Sequence, residues 1–182
     1  MKLTNSSLHD KTKIPHTKIK RYAREFLPHD PDAKMRSGYT REFSIDDGFQ
    51  IYLGNFLVSE LAFSVRDAKQ VLDDLTPWMQ EQGLTPESQQ EDQYIKDWQI
   101  EIYPTDTGDF YYQSIALLQH RMKKHSGYGK VEEKTFKTIP LTKTGVTLSA
   151  KKWKKYDYRK KIIPVSQLLE LFKFALKEEM LG

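Results

Sequence analysis

Hydrophobic residues at helical spacing predict two short helices at the start of the chain, separated by a proline. One of residues 4–6 can cap the first helix, and the residue before Pro15 ends it because such a residue avoids helical backbone angles. Pro15 also suits the first position of the second helix, where its missing N–H costs nothing. We expect that helix to end near Pro28. Its predicted apolar face comprises Ile19, Tyr22, Ala23 and Phe26.

The next stretch predicts a small hairpin followed by two further helices. Ser37-Gly38 has turn chemistry and lies between segments that carry basic and aromatic residues. Ser44 and Ser64 each stand before a run of helical spacing, and each is followed three residues later by an aspartate, which is typical of a helix start. The second of these helices is expected to stop before Gly83.

The pattern of the second half differs from that of the first. Residues 85–91 are polar without periodicity and indicate a linker. Residues 109–122 are compatible with a strand or with a helix, because periodicity does not decide between them. Residues 165–180 predict an amphipathic helix. Strand-like patterns cover residues 98–104, 131–141 and 146–153.

Charge is strongly segregated along the chain, although the formal net charge is only +4. Residues 1–41 hold ten Lys and Arg against four Asp and Glu, residues 42–91 hold two against ten, and residues 92–182 hold seventeen against eleven. Two basic ends around an acidic middle favour a polyanionic partner for the ends.

The order of these elements is helix, turn, basic helix, basic hairpin and two more helices, which is that of a winged helix-turn-helix domain. In such a domain the second helix presents cations to base edges and phosphates in the major groove, and the hairpin, or wing, contacts the neighbouring backbone. We therefore predict double-stranded DNA as the partner. The predicted DNA-binding residues are His16, Thr17, Lys18, Lys20, Arg21, Arg24, Lys34, Arg36, Tyr39 and Arg41. For Arg41 an ion pair with Asp46 or Asp47 is the alternative.

One succession of residues follows the basic helix in this order: Gly38, Tyr39, Arg41, Phe43, Ser44, Asp46, Asp47, Phe63, Ser64, Asp67 and Leu72. It resembles the wing and the two capped, acidic helices in the DNA-binding domain of MerR-type regulators. The resemblance covers roughly residues 3–80, less than half of the chain. It implies sequence-specific DNA binding and transcriptional regulation. Gly83 and Pro86 interrupt the long pairing helix of that family, and the cysteines of its metal-sensing members are absent.

The expected fold class is a mainly α N-terminal winged helix-turn-helix domain plus a small α+β C-terminal domain. The predicted boundaries are 1–84 for the DNA-binding domain, 85–91 for the linker and 92–182 for a domain that dimerises or binds a small-molecule or protein effector. A homodimer is expected because one small head buries little surface, and two heads on a palindrome bury twice as much.

A second basic cluster, residues 151–161, holds seven Lys and Arg and three aromatic residues. Cations interleaved with rings suit a nucleic-acid backbone and its bases, whereas lysine-rich strands also protect sheet edges from association. Both interpretations stay open. The candidate second contacts are Lys151, Lys152, Lys154, Lys155 and Arg159.

Several function classes are disfavoured by what the sequence lacks. With no cysteine and no HxxxH or HExxH pattern among five histidines, we predict no metal site and no cofactor. Asp106 or Asp109 with Glu132 and Lys134 only weakly resembles a metal-dependent nuclease site, so we predict no enzyme. No apolar run long enough for a membrane span is present, and we expect a cytoplasmic protein. The alternatives are an excisionase-like or nucleoid-architectural DNA-binding protein and a module that binds an acidic protein.

Overall fold

The computed structural model describes residues 2–30, 41–88, 94–120, 134–141 and 159–177, with side chains left undescribed at 94–96, 117–120 and 134–141. The chain forms two compact units of mixed α and β structure. The helical unit comprises residues 1–89 together with the chain from Leu168 onward, and the sheet unit comprises residues 90–167. The sequence pattern predicts 92–182 as one second domain, whereas the structure assigns the C-terminal helix from Leu168 to the helical unit.

Three of the described helices begin at capping residues that the sequence predicts. Ser44 Oγ accepts a hydrogen bond from Asp47 N at 3.0 Å, and the Asp47 carboxylate accepts one from Ser44 N at 3.0 Å. Thr4 starts its helix with the same reciprocal pair, and Ser64 Oγ accepts from Asp67 N at 3.1 Å. These bonds satisfy N–H groups that have no partner inside a helix. The helices are α1 (Asn5–Thr12), α2 (His16–Phe26), α3 (Ile45–Ser59), α4 (Val65–Glu81) and α5 (Val165–Lys177).

Two backbone hydrogen bonds join the segment before α1 to the segment before α3. Leu3 N donates to Phe43 O at 2.9 Å and Phe43 N donates to Leu3 O at 2.8 Å, and both side chains are 1% exposed. Nearby, α2 packs against α3 so closely that a Cβ atom added at Gly54 would overlap the ring of Phe26. Gly54 therefore permits the close approach of the two helices.

Helix α5 completes the core of the helical unit through one aromatic side chain. Phe172 is fully buried, and its ring centroid lies 5.5 Å from that of Phe49 and 5.5 Å from that of Tyr52. Lys11 Nζ on α1 also donates to the carbonyl oxygen of Leu176 at 3.4 Å. The predicted amphipathic helix is thus confirmed, and it packs on α1 and α3.

The sheet unit is built on an antiparallel sheet of four described strands in the order β3-β2-β1-β4. The segment left open between strand and helix is a strand, and the predicted strand at 146–153 lies outside the described residues. One face of the sheet is buried and includes Trp98, Ile100, Ile102, Tyr112, Ala116 and Ile163. The strands are β1 (Tyr94–Pro104), β2 (Phe110–His120), β3 (Lys134–Leu141) and β4 (Lys161–Ile163).

The sheet also holds a buried carboxylate. Glu101 on β1 is 8% exposed, accepts a hydrogen bond from the Tyr103 hydroxyl and pairs with Lys160 Nζ at 3.1 Å. Buried charges are tolerated when they are paired and hydrogen-bonded in this way. Across the helices that the structure describes, none is both long and apolar enough to span a bilayer.

Candidate nucleic-acid interface

Helix α2 has one buried face and one charged face. Thr17, Lys20, Arg21 and Arg24 are exposed and follow the spacing i, i+3, i+4 and i+7, so they form one row along the helix, here called the basic stripe. Each residue turns by about 100° around a helix, which sets this row opposite the buried one. The predicted apolar face is confirmed as buried: Ile19, Tyr22, Ala23 and Phe26.

Carboxylates among the described residues neutralise little of the positive charge of α2. Neither Lys20 nor Arg21 has an ion-pair partner among the residues whose side chains are described. Arg24 lies 3.7 Å from Glu25, but the two side chains are 75% and 43% exposed, and such exposed pairs contribute little. Lys18, beside the stripe, donates to the uncharged Ser59 Oγ at 3.1 Å. The stripe is therefore available to an anionic partner.

The N-terminal end of α2 is also open to an anion. Pro15 occupies the cap position without a side-chain hydrogen bond to the helix, and the first turn contains no acidic residue. Helix N-termini carry unpaired N–H groups and a partial positive charge, which suit phosphate oxygens. His16 stands at this end with its ring 4.2 Å from the ring of His9, whose Nδ1 lies 2.8 Å from the carbonyl oxygen of Ile14.

Arg41 occupies a different position from the other predicted DNA contacts. Its guanidinium donates to the carbonyl oxygens of Ala23 at 3.2 Å and of Pro28 at 2.9 Å. Its carboxylate partner is Asp30, at 3.8 Å, where the sequence suggested Asp46 or Asp47. The guanidinium also lies 5.7 Å from the centroid of the Phe43 ring. Arg41 thus caps the C-terminal end of α2 and fixes its position.

The other predicted contacts divide into two groups. Arg159 pairs with Asp106 at 2.7 Å, which neutralises this member of the second basic cluster. Asp106, one of the acids in the weak nuclease pattern, is therefore held by an arginine. The remaining predicted contacts lie outside the described residues: Lys34, Arg36, Tyr39, Lys151, Lys152, Lys154 and Lys155.

An acidic pocket in the helical unit has no counterpart in the sequence predictions. Its volume is about 190 Å³, and it lies between α3, α4, the segment after α4 and Pro28. Asp46 lines it, and burial raises the pKa of that carboxyl group, helped first by the charge of Glu87 and least by that of Asp47, while a hydrogen bond from the Glu87 backbone acts in the opposite direction. The residues that line the pocket come from separate segments of the chain, so a local pattern does not bring them together. The adjacent acids Asp46 and Asp47 are the local feature of the sequence that points to the pocket.

Within the described part of the chain, His, Asp and Glu side chains form no group of three or more that could hold a metal ion. Comparisons with protein-family models and with curated proteins give no match to this sequence.

Proposed function

We propose that the helical unit is a MerR-like winged helix-turn-helix that binds double-stranded DNA in a sequence-specific way, and that the protein regulates transcription. The observation that carries the proposal is the basic stripe of α2. The stripe is exposed, and only Arg24 has a nearby carboxylate among the described residues. The opposite, apolar face of the helix is buried and anchors it to the core. Base and phosphate readout by a helix requires this division between an anchoring face and a presenting face.

The dimensions of the stripe fit a DNA groove. From Thr17 to Arg24 the helix advances by about 10 Å, at 1.5 Å per residue. The major groove of B-form DNA is about 12 Å wide and admits one α-helix. In the proposed complex Lys20 and Arg21 contact base edges or phosphates, and the open N-terminus of α2 contacts a further phosphate.

Arg41 supports this arrangement indirectly. Arg41 belongs to the predicted wing, the hairpin around Ser37-Gly38, and its guanidinium joins that segment to the C-terminal end of α2. A recognition helix must keep one orientation, because phosphate contacts fix the register and base contacts require precise placement. In the proposal Arg41 is therefore a positioning residue for α2.

We include a homodimer in the proposal, and α5 offers a surface for it. Leu171 and Phe174 are 50% and 63% exposed and lie three residues apart on one helix face. Glu170 and Lys177 flank them at opposite ends of that face. When two copies of α5 pair antiparallel, Glu170 of each copy comes next to Lys177 of the other, so the face is self-complementary in charge.

Replacing both Leu171 and Phe174 by serine is expected to convert the dimer to a monomer, since the pairing loses its apolar centre. Size-exclusion chromatography with light scattering measures the mass. Ile162→Ser, which changes another exposed apolar residue of the chain, is the control and keeps the dimer. A monomeric wild-type protein at high micromolar concentration contradicts this part of the proposal.

The DNA proposal is tested by selecting bound fragments from genomic DNA at physiological salt, followed by footprinting and a salt titration of the enriched fragment. A regulator protects one palindromic site, with affinity falling by about 0.9 log units per log unit of salt for each phosphate contacted. Several adjacent protected sites without a palindrome indicate the excisionase-like or nucleoid-architectural alternative. Absence of binding to any duplex contradicts the proposal and favours a module for an acidic protein.

The proposed role of the sheet unit is to receive a signal. Regulators couple a DNA-binding head to a second unit that receives a signal, and we propose that the sheet unit, residues 90–167, binds a small-molecule or protein effector. The hydrogen bond of Glu101 with Tyr103 and its ion pair with Lys160 hold these side chains in place on the sheet, which supports such a contact.

A further inference from the structure

The acidic pocket of the helical unit has the composition of a ligand site. Its walls are mainly apolar and include the side chains of Phe49, Leu53, Leu72, Met79 and Leu84. Its volume of about 190 Å³ exceeds the roughly 150 Å³ of an apolar cavity able to take up benzene. One six-membered ring with a short chain therefore fits. The pocket is partly open, so a ligand can enter without unfolding of the unit.

Three carboxylates give the pocket its electrostatic character. Asp46 and Asp47 belong to the lining, and the charge of Glu87 acts on Asp46. In the described part of the chain, no lysine or arginine forms an ion pair with any of these three acids. Among the described residues the negative charge beside the apolar walls is thus met by backbone N–H groups and by no paired cation, and a bound cation would lower its energy.

One oxygen atom identifies the point at which a cation would bind. Asp46 Oδ1 is shielded from solvent and has no hydrogen-bond partner among the described residues, so the hydrogen bond from the Glu87 backbone leaves this oxygen unsatisfied. A buried acceptor without a donor costs free energy, and a ligand that supplies the donor recovers it. Asp47, by contrast, already accepts the backbone N–H of Ser44 in the α3 cap.

We propose that this pocket binds a small amphipathic cation, a protonated amine whose apolar body enters the space between α3 and α4 and whose ammonium group donates to Asp46 Oδ1. The size of the pocket selects a body of about one ring, and the carboxylates select a positive charge. The site lies apart from the basic stripe of α2, so the proposal stands independently of DNA binding.

Isothermal titration calorimetry on the full chain at neutral pH tests the proposal with three probes. 2-Phenylethylamine, which is protonated at that pH, is expected to bind with a dissociation constant of about 1 mM or tighter. 2-Phenylethanol keeps the ring but lacks the charge and should bind at least about tenfold more weakly. Methylamine keeps the charge without the ring and should give no measurable binding. Equal binding of the amine and the alcohol, or no binding of the amine at about 10 mM, overturns the proposal.

Two variants locate the site. Asp46→Asn removes the charge and should weaken amine binding at least about tenfold. Thr76→Leu fills part of the pocket and should weaken both ring-containing probes. Asp73→Asn is the matched control, because Asp73 is an exposed acid of α4 that pairs with Lys69 and does not line the pocket. If Asp73→Asn weakens binding as much as Asp46→Asn, binding is non-specific and the proposal fails.

Misfolding can be separated from loss of the site. Because the pKa of Asp46 is raised in the fold, its ionised form disfavours folding at neutral pH, so Asp46→Asn should not lower the melting temperature. A normal melting temperature combined with unchanged amine binding also contradicts the assignment of Asp46.

Discussion

Replacing Lys18, Lys20 and Arg21 together by alanine is expected to weaken binding to duplex DNA by at least about 100-fold at physiological salt. Three cations leave the exposed side of α2, and each contact with a phosphate or base contributes about 1 kcal/mol or more. If all three meet phosphates, the slope of log affinity against log salt should become shallower by about 2.7. Fluorescence anisotropy with the selected DNA fragment measures both quantities.

A second triple variant controls for net charge. Lys2, Arg66 and Lys69 are exposed and lie outside α2, and their replacement by alanine removes the same two lysines and one arginine from the total. Lys2 and Lys69 already pair with Glu42 and Asp73, so their charges are partly compensated. This variant should lose less than about fivefold in affinity. Equal losses in both triples would show general electrostatic attraction and contradict an interface on α2.

Phe172→Ala is expected to destabilise the helical unit by about 3–5 kcal/mol. The substitution leaves a cavity beside Phe49 and Tyr52 and removes the main aromatic contact of α5 with α3. Small domains are stable by only about 5–15 kcal/mol, so much of the stability of this unit would be lost. Urea unfolding followed by far-ultraviolet circular dichroism measures the change, because the described helices other than the first residues of α5 belong to this unit.

Phe174→Ala is the matched control, since it removes the same side chain from the same helix at a position that is 63% exposed. Both variants are compared at a protein concentration low enough to keep the chain monomeric, because Phe174 also belongs to the proposed dimer face. Its cost should stay below about 0.5 kcal/mol. A local reporter is also available, because burial raises the pKa of the Tyr52 hydroxyl. In Phe172→Ala that pKa should fall toward its ordinary value, as seen by ultraviolet difference spectroscopy. Equal destabilisation by the two variants would contradict the packing described for Phe172.

The parts of the fold that depend on local chemistry could be predicted from the sequence. Ser44 and Ser64 start helices because a serine followed three residues later by an aspartate satisfies backbone N–H groups within one turn. The buried face of α2 could be predicted for the same reason, since its period follows from helix geometry alone.

The parts that depend on distant residues could not be predicted in this way. The partner of Arg41 is Asp30 because Arg41 lies against the C-terminal end of α2, where it donates to the carbonyl oxygens of Ala23 and Pro28, and no local pattern reports that contact. The docking of Phe172 on α3 joins residues more than 100 positions apart in the sequence. The sequence of residues 109–122 is ambiguous because buried strands and buried helices share apolar runs. The strand forms because β2 pairs with β1 along its whole length, and β1 lies outside any local window.

The C-terminal helix has a consequence for anyone who prepares the helical unit as an isolated fragment. A fragment that stops at residue 89 would leave Phe49 and Tyr52 facing water, and exposed rings of this size promote aggregation. A soluble fragment should instead also contain the chain from Leu168 onward, joined through a flexible glycine-serine connection, so that both pieces of the unit are present in one polypeptide.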